Sequence, residues 1–503
     1  MRGRVVHIVG RAAAAFICVA GVPIVTLILV RAFYGVPISA YRPIINDEVA
    51  YWHQALTFSY AGFHGGYYTL GEATNASGVT PFGPHGPGFA VLYGMFGAAF
   101  GWHRHSVVLL NLLAVSVAAW TWVSLSRVSL ARLFLSGVML VTFWHMLFWA
   151  PTGMQEPLHH AGAIAMAAFF AAALGPSRRP WVIAAGWIVL STLSFIRPSW
   201  IVLLPLWGLA TSRTAPRWVM LSTIAASGLL AAALLLAYSL TTAPYSSGFF
   251  FLRALSLSVG AQSLADNLLF NVHRLAMLDQ YETIELLHRY QYWAFLIAVI
   301  VAAAATLWRS RAGWRTGPAM HLLIAAVTMA TALAAMLLLY EFTNYAEHRV
   351  LSAFFLFGTL LCLAAPGRVG PILVAALVLS NLAYARPSLR NFEAVWRDRF
   401  IWDRRGVYEL EDAIDGILVY RPGLSRWCNT LLTAQYPPHL IAIPLGIGIS
   451  AIRETEQLPL PPRSHYLLLD ASSLANVKGP LHLEPMATLP YGTLFLNRDS
   501  GCD

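Results

Sequence analysis

Long apolar runs separated by short polar connectors set the pattern of this 503-residue chain. Runs at 12–34, 106–124, 133–150, 157–174, 218–240, 291–307, 319–340, 350–365 and 371–385 approach or reach the roughly 18 to 20 apolar residues that cross a bilayer. The stretch 181–210 is too long for one span and is interrupted by Phe195-Ile196-Arg197-Pro198-Ser199. Pro198 has no amide hydrogen to donate and disrupts a helix there, which predicts a helical hairpin with Arg197 at its tip. The pattern therefore predicts about eleven transmembrane helices. The run 87–101 is shorter and ends in Gly101-Trp102-His103-Arg104-His105, an aromatic and basic cluster of the kind found at membrane interfaces. It is expected to lie along the outer membrane face rather than to cross. Two long loops remain, at 35–104 and 241–290.

Charge fixes the orientation. The chain is 58% hydrophobic and 11% charged, whereas a soluble domain carries about 25% charged residues. The net charge of +10 does not form one basic patch, which argues against a nucleic-acid partner. The arginines instead punctuate the ends of apolar runs. With 87–101 along the surface, Arg127, Arg132, Arg178, Arg179, Arg213, Arg217, Arg309, Arg311, Arg315 and Arg368 all fall on the side of the N-terminus, as cytoplasmic connectors should. The basic segment Met1–Arg11 precedes an apolar run too long for a signal peptide and followed by no small-x-small cleavage site, so it reads as an uncleaved first helix. Both long loops and the C-terminus are then expected outside a bacterial plasma (inner) membrane.

From about Arg386 the composition changes. Apolar runs shorten to strand length at Leu440–Ile443, Tyr466–Leu469 and Thr493–Leu496, and 409–417 reads as a helix. The expected fold class is an α-helical polytopic membrane protein (module 1–386) with a small extracytoplasmic α/β domain at 387–503, long enough for its own core. Cys428 and Cys502 lie in that domain and read either as a disulfide, if it is outside the cytoplasm, or as two free thiols. Cys18 and Cys362 lie in apolar runs and read as packing residues.

The ionisable residues at apolar boundaries gather on the predicted outer face: Asp47, Glu48, His85, Glu156, His159, His160, Arg197, Glu341, Glu347, His348 and Arg349. Charge at a membrane boundary is costly to desolvate and marks function by default. Arginine suits phosphate because its planar fork donates in pairs, and a carboxylate beside a hydroxyl can act as general base. No histidine spacing matches a zinc site.

At these residues the sequence resembles the GT-C glycosyltransferases, in particular the protein O-mannosyltransferase and lipid A aminoarabinose transferase branch. The motifs are Asp47-Glu48-x-x-Tyr51 in the first outer loop, Pro84-His85-Gly86-Pro87 opening the interfacial segment, Gln155-Glu156-Pro157-Leu158, Phe195-Ile196-Arg197-Pro198 and Glu347-His348-Arg349. The resemblance covers roughly 12–386. Two positions depart from it: His85-Gly86-Pro87-Gly88 stands where the branch has His-x-Pro-Pro, and Glu156 stands where Asp is common. The resemblance implies an inverting transfer of a sugar from a polyprenyl-phosphate donor to a hydroxyl of a glycan, lipid or protein acceptor. Asp47 would be the base, with Glu48 beside it and Glu156 orienting the acceptor or a partner side chain. Arg349 and Arg197, with His85 and His348 near them, would hold the donor phosphate. The branch does not clearly need a metal, although Asp47, Glu48 and Glu156 would suit Mg²⁺ or Mn²⁺. Two other readings stay open. One is a transporter or lipid-linked sugar flippase, weakened by the lack of an internal repeat. The other is a polysaccharide polymerase or ligase, in which Asp47-Glu48 would be dispensable.

Overall fold

The structure is a computed structural model and describes residues 2–44, 46–64, 69–70, 86–176, 179–241, 257–276, 283–309, 318–339, 348–433, 441–451, 462–475, 481–489 and 492–502. Among them six helices are long and apolar enough to cross a membrane: Val6–Tyr34, Ser106–Leu125, Glu156–Leu174, Arg217–Tyr238, Tyr290–Arg309 and Ala319–Leu338. A seventh span results if the pair Val369–Ala383 and Ala385–Ile414, bent by 60°, is counted as one.

The other five expected spans are shorter helices. Leu130–Thr142 has 13 residues, Pro180–Ile196 has 17, Leu203–Ser212 has 10, His348–Ala364 has 17 and Val369–Ala383 has 15. At 1.5 Å per residue these fall short of the roughly 30 Å hydrocarbon core. Among the described residues six or seven helices meet the length and composition of a span, so the expected count of about eleven is not confirmed. The breaks have local causes. The run 133–150 divides at Phe143, whose extended backbone (φ −79°, ψ 92°) starts a separate short helix, Trp144–Trp149. The hairpin divides where Arg197 is extended (φ −143°, ψ 119°) before Pro198.

The long loops are not loops throughout. The first contains a 16-residue helix, Asn46–Ala61, as well as the expected short apolar helix Pro87–Phe100. These two pack closely, because a Cβ at Gly94 would lie 2.7 Å from Phe58 and one at Gly97 would lie 2.8 Å from Ser59. The second contains the helix Leu257–Ala276, pinned to Pro318–Leu339 where Asn267 and Asn271 donate to the carbonyls of Leu338 and Leu337. Satisfying backbone carbonyls in this way matters where water is scarce.

The C-terminal part carries a six-stranded sheet in the order β1-β3-β2-β4-β6-β5, with β1 Thr69–Leu70, β2 Thr430–Thr433, β3 Gly448–Ala451, β4 Tyr466–Leu469, β5 Leu483–Leu489 and β6 Gly492–Asn497. Its edge strand β1 comes from the first long loop and pairs parallel with β3, Thr69 opposite Ser450. The expected strand at Leu440–Ile443 does not form in its described part, 441–443; Pro444 directly after it offers no ladder donor, and the strand falls at β3 instead. Tyr466–Leu469 and Thr493–Leu496 are strands as read. Cys428 and Cys502 are joined in a disulfide, closing a separation of 74 residues; Cys18 and Cys362 are buried free thiols.

The core is continuous from the membrane helices into the C-terminal part. Three indoles tie the layers together: Trp396 Nε1 donates to the Phe148 carbonyl, Trp144 Nε1 to that of Asn381 and Trp402 Nε1 to that of Ala40.

Candidate active site

Four charged side chains from four separate chain segments meet in one cluster. Asp47 sits in the first turn of the helix Asn46–Ala61, where a carboxylate also favours the helix dipole. Its Oδ2 accepts from Arg349 Nη2 at 2.7 Å. Arg349 stands at the start of the helix His348–Ala364, and its Nε lies 3.4 Å from Glu156 Oε1. The same Glu156 oxygen accepts from Arg197 Nη2 at 3.0 Å. The order is therefore carboxylate, guanidinium, carboxylate, guanidinium. Two negative and two positive charges balance, which makes their burial tolerable.

Exposure is uneven along this row. The Asp47 and Arg349 side chains keep 21% and 20% of their surface, Arg197 keeps 16% and Glu156 keeps 1%. The cluster is thus open at Asp47 and closed at Glu156. Glu156 Oε2 is buried and has no hydrogen-bond partner among the described residues. The Arg349 guanidinium also lies over the Trp149 ring, 5.9 Å from its centroid.

Tyr51 follows Asp47 by one helical turn and is fully buried. Burial pushes its phenol well above the ordinary value, and the negative charge of Asp47 adds to that rise, while Arg349 opposes it. Tyr51 therefore stays a neutral hydroxyl beside the cluster.

Glu48, next to Asp47, belongs to a different set of partners. It is completely buried and accepts from Tyr41 Oη at 2.8 Å, the Ile44 amide at 3.1 Å and the Gly153 amide at 2.9 Å. The Arg399 Nε, also completely buried, lies 3.1 Å from its Oε2. Burial pushes the Tyr41 phenol well above its ordinary value, and Glu48 reinforces the shift. This constellation clamps the first loop, the Pro151–Gln155 turn and the helix Ala385–Phe400 together. The turn is held further by Asn111, which donates to the Thr152 carbonyl at 2.8 Å. Glu156 begins its helix directly after this turn, so the Glu48 clamp fixes the point from which Glu156 projects.

The two histidines in the first turns of the helix Glu156–Leu174 are buried. His159 Nδ1 accepts from Trp200 Nε1 at 3.0 Å. His160 Nε2 meets Ser352 Oγ at 2.7 Å, and Ser352 itself donates to the Arg349 carbonyl at 2.6 Å. The pair repeats the Glu156–Arg349 contact one turn further along the same two helices.

The structure thus brings Asp47, Glu156, Arg197 and Arg349 together and places Glu48 in a neighbouring buried clamp. His85, Glu341 and Glu347, and the side chain of His348, lie outside the described residues. Arg399 is the buried partner of Glu48 that the sequence reading missed. Among the described residues no three His, Cys, Asp or Glu side chains group closely enough to hold a metal ion, and Glu48 does not converge with Asp47 and Glu156.

An apolar groove of about 450 Å³ lies between the helices Pro87–Phe100, Ser106–Leu125, Glu156–Leu174 and Pro180–Ile196. Its lining includes Tyr93, Phe96, Leu113, Leu158, Gly162 and Leu193. Ring contacts link it to the cluster: Tyr93 stacks on Phe89 at 4.1 Å, and Phe89 meets Tyr51 in a tilted contact at 5.4 Å.

No protein-family model matches the chain, and no curated relative matches its sequence. Two solved structures are similar to it. The Archaeoglobus fulgidus oligosaccharyltransferase in its apo form matches at 12% identity and a TM-score of 0.46, over 99% of this chain and 75% of that one. ArnT from Cupriavidus metallidurans, bound to undecaprenyl phosphate, matches at 11% identity and a TM-score of 0.46, over 95% of this chain and 97% of that one. At these scores neither likeness bears on what this chain does.

Proposed function

We propose that the chain is an inverting membrane glycosyltransferase that moves a sugar from a polyprenyl-phosphate donor to an acceptor hydroxyl at the extracytoplasmic membrane face. The observation that carries the reading is the direct pairing of Asp47 with Arg349. A base and a phosphate-binding guanidinium are held within one hydrogen bond of each other, at the open end of the cluster.

In this reading the donor phosphate enters opposite Arg349 and Arg197, displacing Arg349 from Asp47. The freed Asp47 carboxylate accepts a hydrogen bond from the acceptor hydroxyl. The acceptor oxygen attacks the anomeric carbon from the face opposite the phosphate and forms the new glycosidic bond. The bond from the anomeric carbon to the phosphate oxygen breaks, its electron pair leaves with polyprenyl phosphate, and the proton passes to Asp47. The leaving group gains one negative charge, and the two guanidiniums stabilise it in a water-poor pocket. Glu156 positions both arginines. The apolar groove supports a donor with a long hydrocarbon tail, because such a tail loses little by leaving the bilayer for a carbon-lined slot. The disulfide suits an oxidising compartment outside the cytoplasm.

The test is an assay of membranes carrying the chain with radiolabelled polyprenyl-phosphate sugars, one sugar at a time. Release of polyprenyl phosphate, and label in a product of inverted anomeric configuration, are expected for one donor. Retained configuration would contradict the mechanism. Movement of intact donor across the bilayer without cleavage would replace it with the flippase reading.

A further inference from the structure

A second cavity, of about 460 Å³, lies between the first-loop helices and the C-terminal part. Trp52, Ser59 and Tyr60 come from the helix Asn46–Ala61, Trp102 and Arg104 from the interfacial cluster, and Glu411 from the helix Arg405–Ile414. On a 3.6-residue repeat Trp52, Leu56, Ser59 and Tyr60 all project to the side of their helix away from Asp47. The cavity and the charged cluster therefore lie on opposite faces of the same helix.

We infer that this cleft is a separate carbohydrate-binding site for a neutral oligosaccharide. One wall is aromatic, and the aliphatic stretch 441–445 faces it. The Trp52 and Trp102 rings meet edge to face at 5.9 Å, and Tyr60, 59% exposed, stands at the mouth against Tyr420 at 5.7 Å. The flat C–H face of a pyranose packs against such rings, while its rim hydroxyls need donors and acceptors. Both are present, because Arg104 and Glu411 form a partly buried ion pair lining the cleft. Arg104 offers N–H groups and Glu411 offers lone pairs to vicinal hydroxyls. The cleft is preformed. Trp52 Nε1 donates to the Arg104 carbonyl at 2.9 Å, the Arg104 guanidinium lies over the Tyr408 ring at 5.6 Å, and a Cβ at Gly97 would lie 2.7 Å from Trp102.

Charge decides between a sugar and a lipid headgroup. Arg104 is already neutralised by Glu411, so a phosphate would have to separate the pair and leave Glu411 facing an anion. A polyhydroxylated neutral ligand bonds to both members without separating them. Resting on the transferase reading, the cleft holds sugar units of a glycan acceptor that lie away from the reacting hydroxyl.

The test is calorimetric titration of the full chain in nanodiscs of phosphatidylethanolamine and phosphatidylglycerol with maltohexaose, cellohexaose, mannohexaose and chitohexaose. The expected result is one saturable site for at least one of them, weakened about tenfold or more by Tyr60→Ala and by Glu411→Ala and unchanged in Asp47→Asn. Tyr60 is exposed, so its variant keeps the fold, which the thermal transition verifies. Binding of none of the four, binding indifferent to both cleft variants, or binding abolished by Asp47→Asn would overturn the inference. Sugar transfer that depends on Asp47, found together with an empty cleft, would overturn the cleft alone and leave the transferase reading standing.

Discussion

Asp47 and Arg349 are separated by 302 positions in sequence and are joined by a 2.7 Å hydrogen bond between a carboxylate and a guanidinium. The contact closes the first-loop helix onto a late membrane helix. It also joins a proton acceptor to the group that best holds a phosphate. In the proposed mechanism a phosphate ligand that takes Arg349 releases Asp47.

Arg349 reaches Asp47 through Nη2 and Glu156 through Nε, using two edges of one planar group. A lysine supplies the charge, but its three donors share one nitrogen and cannot present two edges at once. Arg349→Lys is expected to lower sugar transfer by about 10²-fold or more, with the protein still inserted and folded. Transfer within a few-fold of wild type would show that charge alone suffices.

Glu48 and Arg399 are both completely buried. Removing one charge strands the other, at a cost of about 3–5 kcal/mol. Glu48→Gln is therefore expected to lower the thermal transition in detergent strongly, and to reduce transfer only in proportion to the folded protein. The pair Glu48→Leu with Arg399→Met should recover part of the loss; the recovery is incomplete because Tyr41 and the Gly153 amide lose their acceptor. An unshifted transition with abolished transfer in Glu48→Gln would instead put Glu48 in the chemistry.

His53 is buried in the first-loop helix, with neither ring nitrogen partnered among the described residues. Burial lowers its pKa from 6.5 to about 4. The unfolded chain then binds the proton more readily than the folded one between these values. Stability is full above about pH 6.5 and declines as pH falls toward 4. His53→Leu should flatten that part of the stability–pH curve, measured as the thermal transition at pH 7, 6, 5 and 4. A slope equal to that of wild type would show that His53 is not its source.

The disulfide closes a separation of 74 residues, a restraint worth about 4 kcal/mol of denatured-chain entropy. Cys428→Ser with Cys502→Ser is expected to speed proteolysis within 405–502 and to leave the membrane helices protected. Equal cleavage of wild type and variant would remove the disulfide as a determinant of that region.

How far the sequence led depended on how unusual each residue was in its surroundings. Asp47, Glu156, Arg197 and Arg349 stood out because each is a charge at the end of an apolar run in a chain with few charges. Their shared face followed from the arginine-rich connectors. Arg399 did not stand out, because Arg386, Arg390, Arg397, Arg404 and Arg405 surround it and nothing local marks the one that is buried. The roles of neighbours Asp47 and Glu48 were equally hidden. Adjacent positions on a helix point about 100° apart, and only the tertiary partners show that one meets Arg349 and the other Arg399. The helix count of about eleven was not confirmed, for a related reason. Apolar length marks membrane-embedded chain; the break at Arg197 was legible from Pro198, but the break at Phe143 has no proline or glycine beside it to announce it. The helix Asn46–Ala61 was missed because its polar residues Asn46, Asp47, Glu48, His53 and Gln54 read as loop chemistry; Glu48, His53 and Gln54 are buried in the structure.

The most direct test compares wild type with Asp47→Asn in the polyprenyl-phosphate sugar assay, at equal amounts of folded, inserted protein. Asparagine keeps the size of the side chain, still accepts a hydrogen bond from Arg349 and cannot take a proton. Transfer by wild type with loss of about 10²-fold or more in the variant is the expected result. Equal transfer by both would contradict Asp47 as the base and, with it, the chemistry assigned to the Asp47–Arg349 pair.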